Sequence, residues 1–383
     1  MLRDPAPAPR RLVYLADWLP PEPGAIGQYA LLEARRRAST GEEVTLFGLT
    51  SGEPGVSDEA IGAGRLRIVR LRAPLYDKAR LARRALWTLR VDFRLLRAAW
   101  GEMRRADEVL FTGSPPLMVD LLVPASVLLG AKLTYRLSDF HPEALIASLG
   151  RAPLPLRALL AWTRFLRRRV DRIEVLGEDG RRRLAESGVD PARVAVHRYG
   201  SPVEIGPATP PLARPPELAG KVALLYSGNL GVAHDAATLA AGYRLHHEKG
   251  SRRVVLWLSA TGAKADALER ELRAAGMPVH RSAPVPIESL ASLLVTPDAH
   301  LVTLLDPFVG YVMPSKVFGC LASGKPLLFI GSAASDVDRL AREAGLGDRY
   351  LRVDCGDAAG VAAALERLAG MAELSTARGA AAQ

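Results

Sequence analysis

The sequence predicts an α/β chain of two domains, each a parallel sheet covered by helices. Three observations carry that expectation. Strand-like and helix-like segments alternate along the chain. The alternation stops once, in a proline-rich stretch, and then restarts. The length of 383 residues, at about 150 per domain, leaves room for two or three cores.

Arg11–Asp17 (RLVYLAD) reads as the first strand and Gln28–Arg37 as the helix after it. Glu43–Leu49 and Arg65–Leu71 are the next strands, followed by a long helical stretch over 78–105. Further strands are expected at Glu108–Phe111, Lys132–Leu137 and Arg172–Leu176, with helices between them. Residues 201–220 (SPVEIGPATPPLARPPELAG) hold six prolines and no periodic pattern. Proline lacks an amide donor and fixes φ, so this stretch reads as a semi-rigid connector between a first domain, 1–200, and a second, 221–368. In the second domain VALLYSG, VVLWLSA, HLVTLL, PLLFIG and YLRVD read as buried strands, each followed by an amphipathic helix. The last helix is expected at Gly360–Leu368. A frayed tail, 369–383, is expected to pass back toward the first domain.

Composition narrows the class. Hydrophobic residues make up 49% and charged residues 24%, as in soluble globular enzymes. The best apolar run, Leu121–Leu133, is broken by Pro124 and falls short of the ~20 residues needed to span a bilayer. The opening MLRDPAPAPRR does not read as a signal peptide. Cys320 and Cys355 lack metal-ligand spacing and read as free thiols of a cytoplasmic protein. Residues 1–200 carry 33 Lys and Arg against 23 Asp and Glu, and the remainder carries 18 of each. The whole net charge of +10 therefore sits in the first half and calls for an anionic partner there. Over 74–105, nine basic and three acidic residues interleave with Leu75, Leu81, Leu86, Trp87, Phe93, Leu96 and Trp100. That pattern predicts docking on an anionic membrane surface, against the plainer reading of a helix with a solvated basic face. No nucleic-acid recognition motif accompanies the charge.

Four segments carry candidate chemistry. In the loop from Pro20 to Gly27, Gly24, Ile26 and Gly27 stand at the carboxyl end of a strand, just before a helix. Glycine there lets a ligand approach the backbone, and it also suits a tight connection. Tyr226-Ser-Gly-Asn-Leu-Gly231 holds the matching place in the second domain, with Gly228, Asn229 and Leu230 set to cradle a phosphate. In the segment Gly310–Pro326, Pro314 opens a helix with Ser315 and Lys316 in its first turn. Free amides and a lysine there suit a diphosphate. Ser138-Asp-Phe-His-Pro-Glu143 places Asp139 and His141 as acid/base candidates; a helix cap and a surface histidine account for them equally well. Asp336-Val-Asp338 opens a helix, where acidic residues are expected for dipole reasons, so it is not read as a metal site.

These segments, in order and over nearly the whole chain, resemble family 4 glycosyltransferases of the GT-B fold. The likeness is to the bacterial branch that builds O-antigens, capsules and exopolysaccharides. PPEPGAIGQY resembles that family's glycine-rich N-terminal loop, and DFHPE its DLWPE segment. VDRIEVLGEDGRRRL and YSGNLG match as well. MPSKVFGCLASGKPLLFIG matches its Pro-Ser-Lys signature and is the most specific of these. The resemblance implies two Rossmann-like domains facing each other across a cleft and a retaining transfer without metal or other cofactor. It also implies a nucleotide-sugar donor held by the second domain and a lipid-linked or saccharide acceptor at the first. Carried over residue by residue, Gly228 and Asn229 lie by the donor phosphates, Ser315 and Lys316 grip the diphosphate, and Ser259 with Arg281, Ser282 and Ala283 flanks the base. Membrane-bound acceptors imply a cytoplasmic protein peripheral on the inner face of the membrane.

The sequence departs from the pattern in three places. Gly319 stands where most of the family has a ribose-binding glutamate, with Tyr311 at the position of its partner. Ser138 stands where a histidine often precedes the aspartate. No basic residue follows the glycine loop between Ser227 and Asp235, so phosphate neutralisation falls on Lys316 and helix amides. These departures keep open a catalytically silent scaffold subunit. A nucleotide-sugar epimerase and a nucleic-acid binder are the weaker alternatives.

Overall fold

The computed structural model describes residues 9–22, 24–74 and 81–381. Of side chains it describes neither 81–84 nor 375–381. The chain divides into two compact units, residues 1–198 and 199–383.

The first unit is built on eight strands: β1 (Arg11–Trp18), β2 (Glu43–Thr50), β3 (Gly55–Ile61), β4 (Gly64–Arg72), β5 (Glu108–Thr112), β6 (Lys132–Leu137), β7 (Arg172–Val175) and β8 (Val194–Val196). They lie in the order β3-β4-β2-β1-β5-β6-β7-β8. All pair in parallel except the β3–β4 hairpin at the edge. Strand β3 (GVSDEAI) was not expected: it is an exposed edge strand without an apolar face. It turns into β4 through Gly62, whose φ of +58° is one that glycine adopts without strain. The helices are α1 (Ala25–Ser39), α2 (Leu81–Met103), α3 (Met118–Ala125), α4 (Glu143–Leu149), α5 (Leu154–Arg167) and α6 (Glu178–Glu186). Ala30, Ala34 and Ala38 of α1 pack on Leu12, Tyr14 and Ala16 of β1 and on Leu46 and Ile68 of its neighbours.

The second unit has β9 (Val222–Asn229), β10 (Val254–Thr261), β11 (Val279–Ser282), β12 (Ala299–Thr303), β13 (Leu327–Ile330) and β14 (Tyr350–Val353). Their order, β11-β10-β9-β12-β13-β14, is all parallel and is the doubly wound dinucleotide-fold order. Helices α7 (Ala236–Lys249), α8 (Ala263–Ala274), α9 (Ile287–Val295), α10 (Lys316–Ala322), α11 (Asp336–Glu343) and α12 (Ala358–Ala381) cover it. Helix α12 extends through the stretch expected to fray. It packs on α7, with Val361, Leu365 and Leu368 in the core of this unit.

The proline-rich stretch is fastened to the second unit rather than hanging between cores. Leu218 is buried beside Leu225 and Trp257. The Leu212 amide donates to Thr296 Oγ1 at 2.8 Å, and Arg214 pairs with Asp298 at 2.6 Å. In each sheet the strand order reverses once, between β1 and β5 and between β9 and β12. Ligands of open α/β sheets bind outside the strand carboxyl ends at such points.

Candidate functional site

The reversal point of the second unit is electropositive. At the end of β9, Gly228 has a φ of +97° and is exposed with Asn229, so the backbone there is open to a ligand. Lys316 lies beside it: a Cβ on Gly228 would stand 3.9 Å from Lys316 Cε. The Lys316 ammonium sits 3.5 Å from the centroid of the Tyr226 ring. It is inaccessible to solvent and has no hydrogen-bond partner. Burial pushes its pKa down to about 7.

Two groups that the sequence reading missed complete this crevice. Lys264, in the first turn of α8, donates to the carbonyls of Val232 and His234 at 2.9 and 2.8 Å. It supplies the glycine loop with the cation that its own residues lack, from a different helix. His234 is buried, its Nδ1 2.6 Å from the Thr303 carbonyl. Burial first, then the positive charge of Lys316 and Lys264, hold it at a pKa of about 3, so it is neutral. Distance along the chain hid Lys264; only the β9–β10 pairing brings it to the loop.

The other expected residues divide into those in place and those with another role. Leu230 is core: its side chain is buried and its amide donates to the Thr261 carbonyl at 2.9 Å, so it holds no phosphate. Helix α10 begins at Lys316, later than expected, with Pro314 and Ser315 ahead of it. The amides of Val317 and Phe318 already donate to the carbonyls of Pro314 and Ser315, which shifts the work of holding an anion toward the Lys316 side chain. Ser259 and Ser282 pair across β10 and β11 at the strand ends. Ser259 Oγ donates to the Ala283 carbonyl at 3.2 Å, and Ser282 Oγ accepts from Trp257 at 2.9 Å. Arg281 is tied to Asp266 of α8 at 2.9 Å.

The reversal point of the first unit brings two buried acids together. Asp17, near the end of β1, accepts from Ser114 Oγ at 2.6 Å, while its Oδ1 is buried without a partner. Burial and the nearby Asp139 push its pKa up to about 7, and burial pushes Asp139 up to about 6. Asp139 is thus joined electrostatically by Asp17, which the sequence reading had placed only as the end of a strand. A carboxylate at the end of an otherwise apolar strand was the signal. His141 lends its carbonyl to Arg167 Nη2 at 2.7 Å. Arg167 also grips Glu143 at 2.6 and 3.2 Å and lies over the Phe140 ring, which fixes the loop from 139 to 143. Gly24 is exposed at the start of α1 and Ile26 is half-buried. Gly27 has a packing role: a Cβ there would collide with the Trp18 carbonyl, so glycine lets α1 close on β1.

No protein-family model matches the chain. It is 24% identical over 349 residues to a probable glycosyltransferase, WbjE, of Pseudomonas aeruginosa, covering 88% of this chain and 84% of that one. The sucrose-phosphate synthase of Thermosynechococcus elongatus superposes with a TM-score of 0.67 at 14% identity, over 94% of this chain and 90% of the other. WaaG, a glycosyltransferase of lipopolysaccharide biosynthesis, superposes at 0.57 and 14% identity, over 93% and 90%. The Escherichia coli trehalose-6-phosphate structure with UDP-2-fluoro glucose gives 0.61 at 17% identity, over 94% and 91%. The fold is GT-B, as in these glycosyltransferases.

Within that GT-B fold one departure from the family pattern, Gly319, has a packing context. Gly319 is buried, and a Cβ on it would approach Leu294 Cδ1 to 2.9 Å. A larger residue there requires the end of the Leu294 side chain to shift, so the close approach of α9 favours glycine. In the Asp336-Val-Asp338 tripeptide, Asp336 pairs with Arg339 at 2.6 Å and Asp338 with Arg342 at 2.8 Å. Asp338 also accepts from the Tyr350 hydroxyl. Both carboxylates are spent within the fold.

Proposed function

We propose that this protein is a retaining glycosyltransferase. It moves a sugar from a nucleoside-diphosphate sugar to a hydroxyl of a lipid-linked or saccharide acceptor in cell-surface polysaccharide synthesis. The observation that carries the reading is the buried, unpartnered ammonium of Lys316 beside the open Gly228 backbone. A buried cation without a counter-ion is costly, and a diphosphate is the partner that removes the cost. In the transfer, the bond from the anomeric carbon to the β-phosphate oxygen breaks and a bond to the acceptor oxygen forms. The electron pair goes to the leaving diphosphate, where Lys316, with Lys264 nearby, stabilises the charge. Asp139 and Asp17, both held partly protonated near neutrality, are suited to accept the acceptor's hydroxyl hydrogen bond and its proton. Nothing in this scheme requires a metal or cofactor.

The acceptor side is also where we place a membrane. Among the described residues, nine of the thirteen exposed large hydrophobic side chains fall between Leu86 and Phe165. They include Leu86, Leu89 and Phe93 on α2 and Trp162 and Phe165 on α5, among exposed arginines. Leu75 of the expected docking stretch lies outside the described residues, and the side chain of Leu81 is not described. Trp87 turns inward, donating to the Pro74 carbonyl at 2.9 Å and stacking on Trp18. Among the described residues no helix is long and apolar enough to cross a bilayer. The exposed aromatic and basic side chains of α2 and α5 support a peripheral association with an anionic leaflet. The deciding experiment incubates the purified protein with a panel of nucleotide sugars and measures nucleoside diphosphate release, with and without membrane extract as acceptor. Release from at least one donor is expected; neither binding nor release across the panel would favour the scaffold reading.

A further inference from the structure

One face of the first unit's sheet carries a charged recess that the reading above does not use. Helix α1 covers β1, β2 and β4. Right-handed crossovers send the helices between β5 and β8 to the opposite face. The strands alternate accordingly: in β6, Leu133, Tyr135 and Leu137 lie on that opposite face, and Lys132, Thr134 and Arg136 on the α1 face. Beside α1 a recess of about 560 Å³ opens, and no apolar side chain lines it.

Six arginines and lysines meet four carboxylates around the recess, a surplus of two positive charges. The carboxylates are already engaged. Glu174 holds Arg136 at 2.6 Å, Glu33 holds Arg36 at 2.8 Å, and Glu108 holds Arg37 at 2.9 Å. Asp171 accepts the Leu133 amide at 2.8 Å. The cations of the rim have hydrogens to spare. Arg10 gives one nitrogen to Glu108 and Arg172 one to Glu174, and both are more than half exposed. Lys132 is exposed and its ammonium has no partner among the described residues.

We infer that this recess is a second anion site, which grips a soluble, multiply charged, phosphate-bearing molecule through Lys132, Arg10 and Arg172. Guanidinium groups offer paired donors that match phosphate oxygens, and a lining made entirely of charged and polar residues favours a polar ligand. The size is within the usual range for small-molecule sites, about 300–1,000 Å³. The rim stands at the amino ends of the strands: Lys132 opens β6, Arg172 opens β7, and Arg10 precedes β1. Asp17 and Asp139 stand at the carboxyl ends, about 20 Å away along a six-residue strand at roughly 3.3 Å per residue. One small anion does not reach both. Helices α2, α3 and α5 lie on the opposite face of the sheet, so a bilayer held there leaves the recess facing solution.

The inference does not rest on the donor reading and is tested apart from it. Inorganic pyrophosphate is titrated calorimetrically, at constant ionic strength, into the wild type, Lys316→Ala and Lys132→Glu. The Lys132→Glu change removes no contact within the protein, and thermal melting of each variant accompanies the titration. Binding that survives Lys316→Ala and weakens at least about tenfold in Lys132→Glu is the expected result, since the charge at the rim is reversed. Donor turnover by Lys132→Glu should match the wild type. Pyrophosphate binding abolished by Lys316→Ala and unmoved by Lys132→Glu would overturn the second site. A loss of Lys132→Glu recovery on phosphatidic acid vesicles would overturn its assignment to a soluble ligand.

Discussion

The two units place buried titratable groups of opposite kind at equivalent points of their sheets. In the first, the reversal point holds the buried carboxyl groups of Asp17 and Asp139, and the buried cations Arg136 and Arg167 are paired with Glu174 and Glu143. In the second, the reversal point holds a buried ammonium, Lys316, with no carboxylate bound to it. The fold is alike and the electrostatic demand is reversed. Under the proposed function one site is completed by an anion and the other by a hydroxyl or proton donor. A diphosphate donor and a hydroxyl acceptor are the pair of substrates that answer both demands. The difference also separates a cation that holds structure from one held ready for a ligand.

That separation can be broken by two substitutions. Arg167→Met leaves the buried Glu143 with only Arg164, 3.9 Å away, and breaking such a buried pair typically costs about 3–5 kcal/mol of stability. Denaturant unfolding should show the loss. Lys316→Ala removes a buried ammonium whose one partner is the Tyr226 ring and which has no hydrogen bond or carboxylate, so unfolding should change little. Its cost should fall on turnover: losing a contact of this kind in the transition state costs about 2.7–4 kcal/mol, roughly 100- to 1000-fold in kcat. Lys325→Ala, at the far end of α10, serves as control and should stay near wild type. A folded Lys316→Ala protein within a few-fold of wild type would place the diphosphate elsewhere.

Much of the fold was legible because each buried strand announces itself as an apolar run ended by glycine, proline or a helix start. Strand β3 was not, since an exposed edge strand has no apolar face to read. The proline count at 201–220 suggested a change of domain near the division at 198/199, but the burial of Leu218 beside Trp257 and the Arg214–Asp298 pair, 84 residues apart, depend on strand pairing in the second unit. At the site, Lys316 was legible from its local signature. Lys264 was not, because it becomes part of a site only through strand pairing, and Asp17 showed only as a carboxylate ending an apolar strand. Gly27 and Leu230 show the converse: a local glycine pattern looks the same whether it admits a ligand or a neighbouring helix.

Stability against pH sharpens the same comparison. Asp17 has its pKa raised from 3.8 to about 7, so the folded state binds a proton that the unfolded chain has released between those values. Its penalty is absent below about pH 4 and complete above about pH 7. Lys316 has its pKa lowered from 10.5 to about 7, so the unfolded chain holds the extra proton in that interval. Its penalty is absent above about pH 10.5 and complete below about pH 7. Asp17→Asn should therefore raise Tm at pH 8 and have no effect near pH 4. Lys316→Met should raise Tm at pH 6 and lose its advantage as the pH climbs toward 10. Each kcal/mol relieved is worth about 2–4 °C at this size. Melting curves in which both variants follow the same pH trend would show that these two groups do not carry opposite demands.

The smallest expected effect concerns the outer surfaces of the two units. On the described part of the second unit only Val232 and Leu374 are exposed large hydrophobics, and that half of the chain has no excess charge. The first unit has Phe93 on α2 and the stacked Trp162 and Phe165 on α5, with Arg169 over the Phe165 ring. Helices α2 and α5 both contact α3, which places these side chains on one face of the sheet. An anionic leaflet rewards both components: each basic residue near it contributes about 1 kcal/mol, and aromatic rings settle at the headgroups. Each substitution removes only part of a shared surface, so the change should be partial. Phe93→Asp and the double change Trp162→Asp with Phe165→Asp should each lower recovery in flotation with anionic vesicles, and combining them should lower it further. Recovery on neutral vesicles should be low throughout. Val232→Asp in the second unit should leave flotation unchanged. Equal recovery of wild type on anionic and neutral vesicles, or equal losses from Val232→Asp and Phe93→Asp, would remove the membrane from the first unit and leave its charge to the recess beside α1.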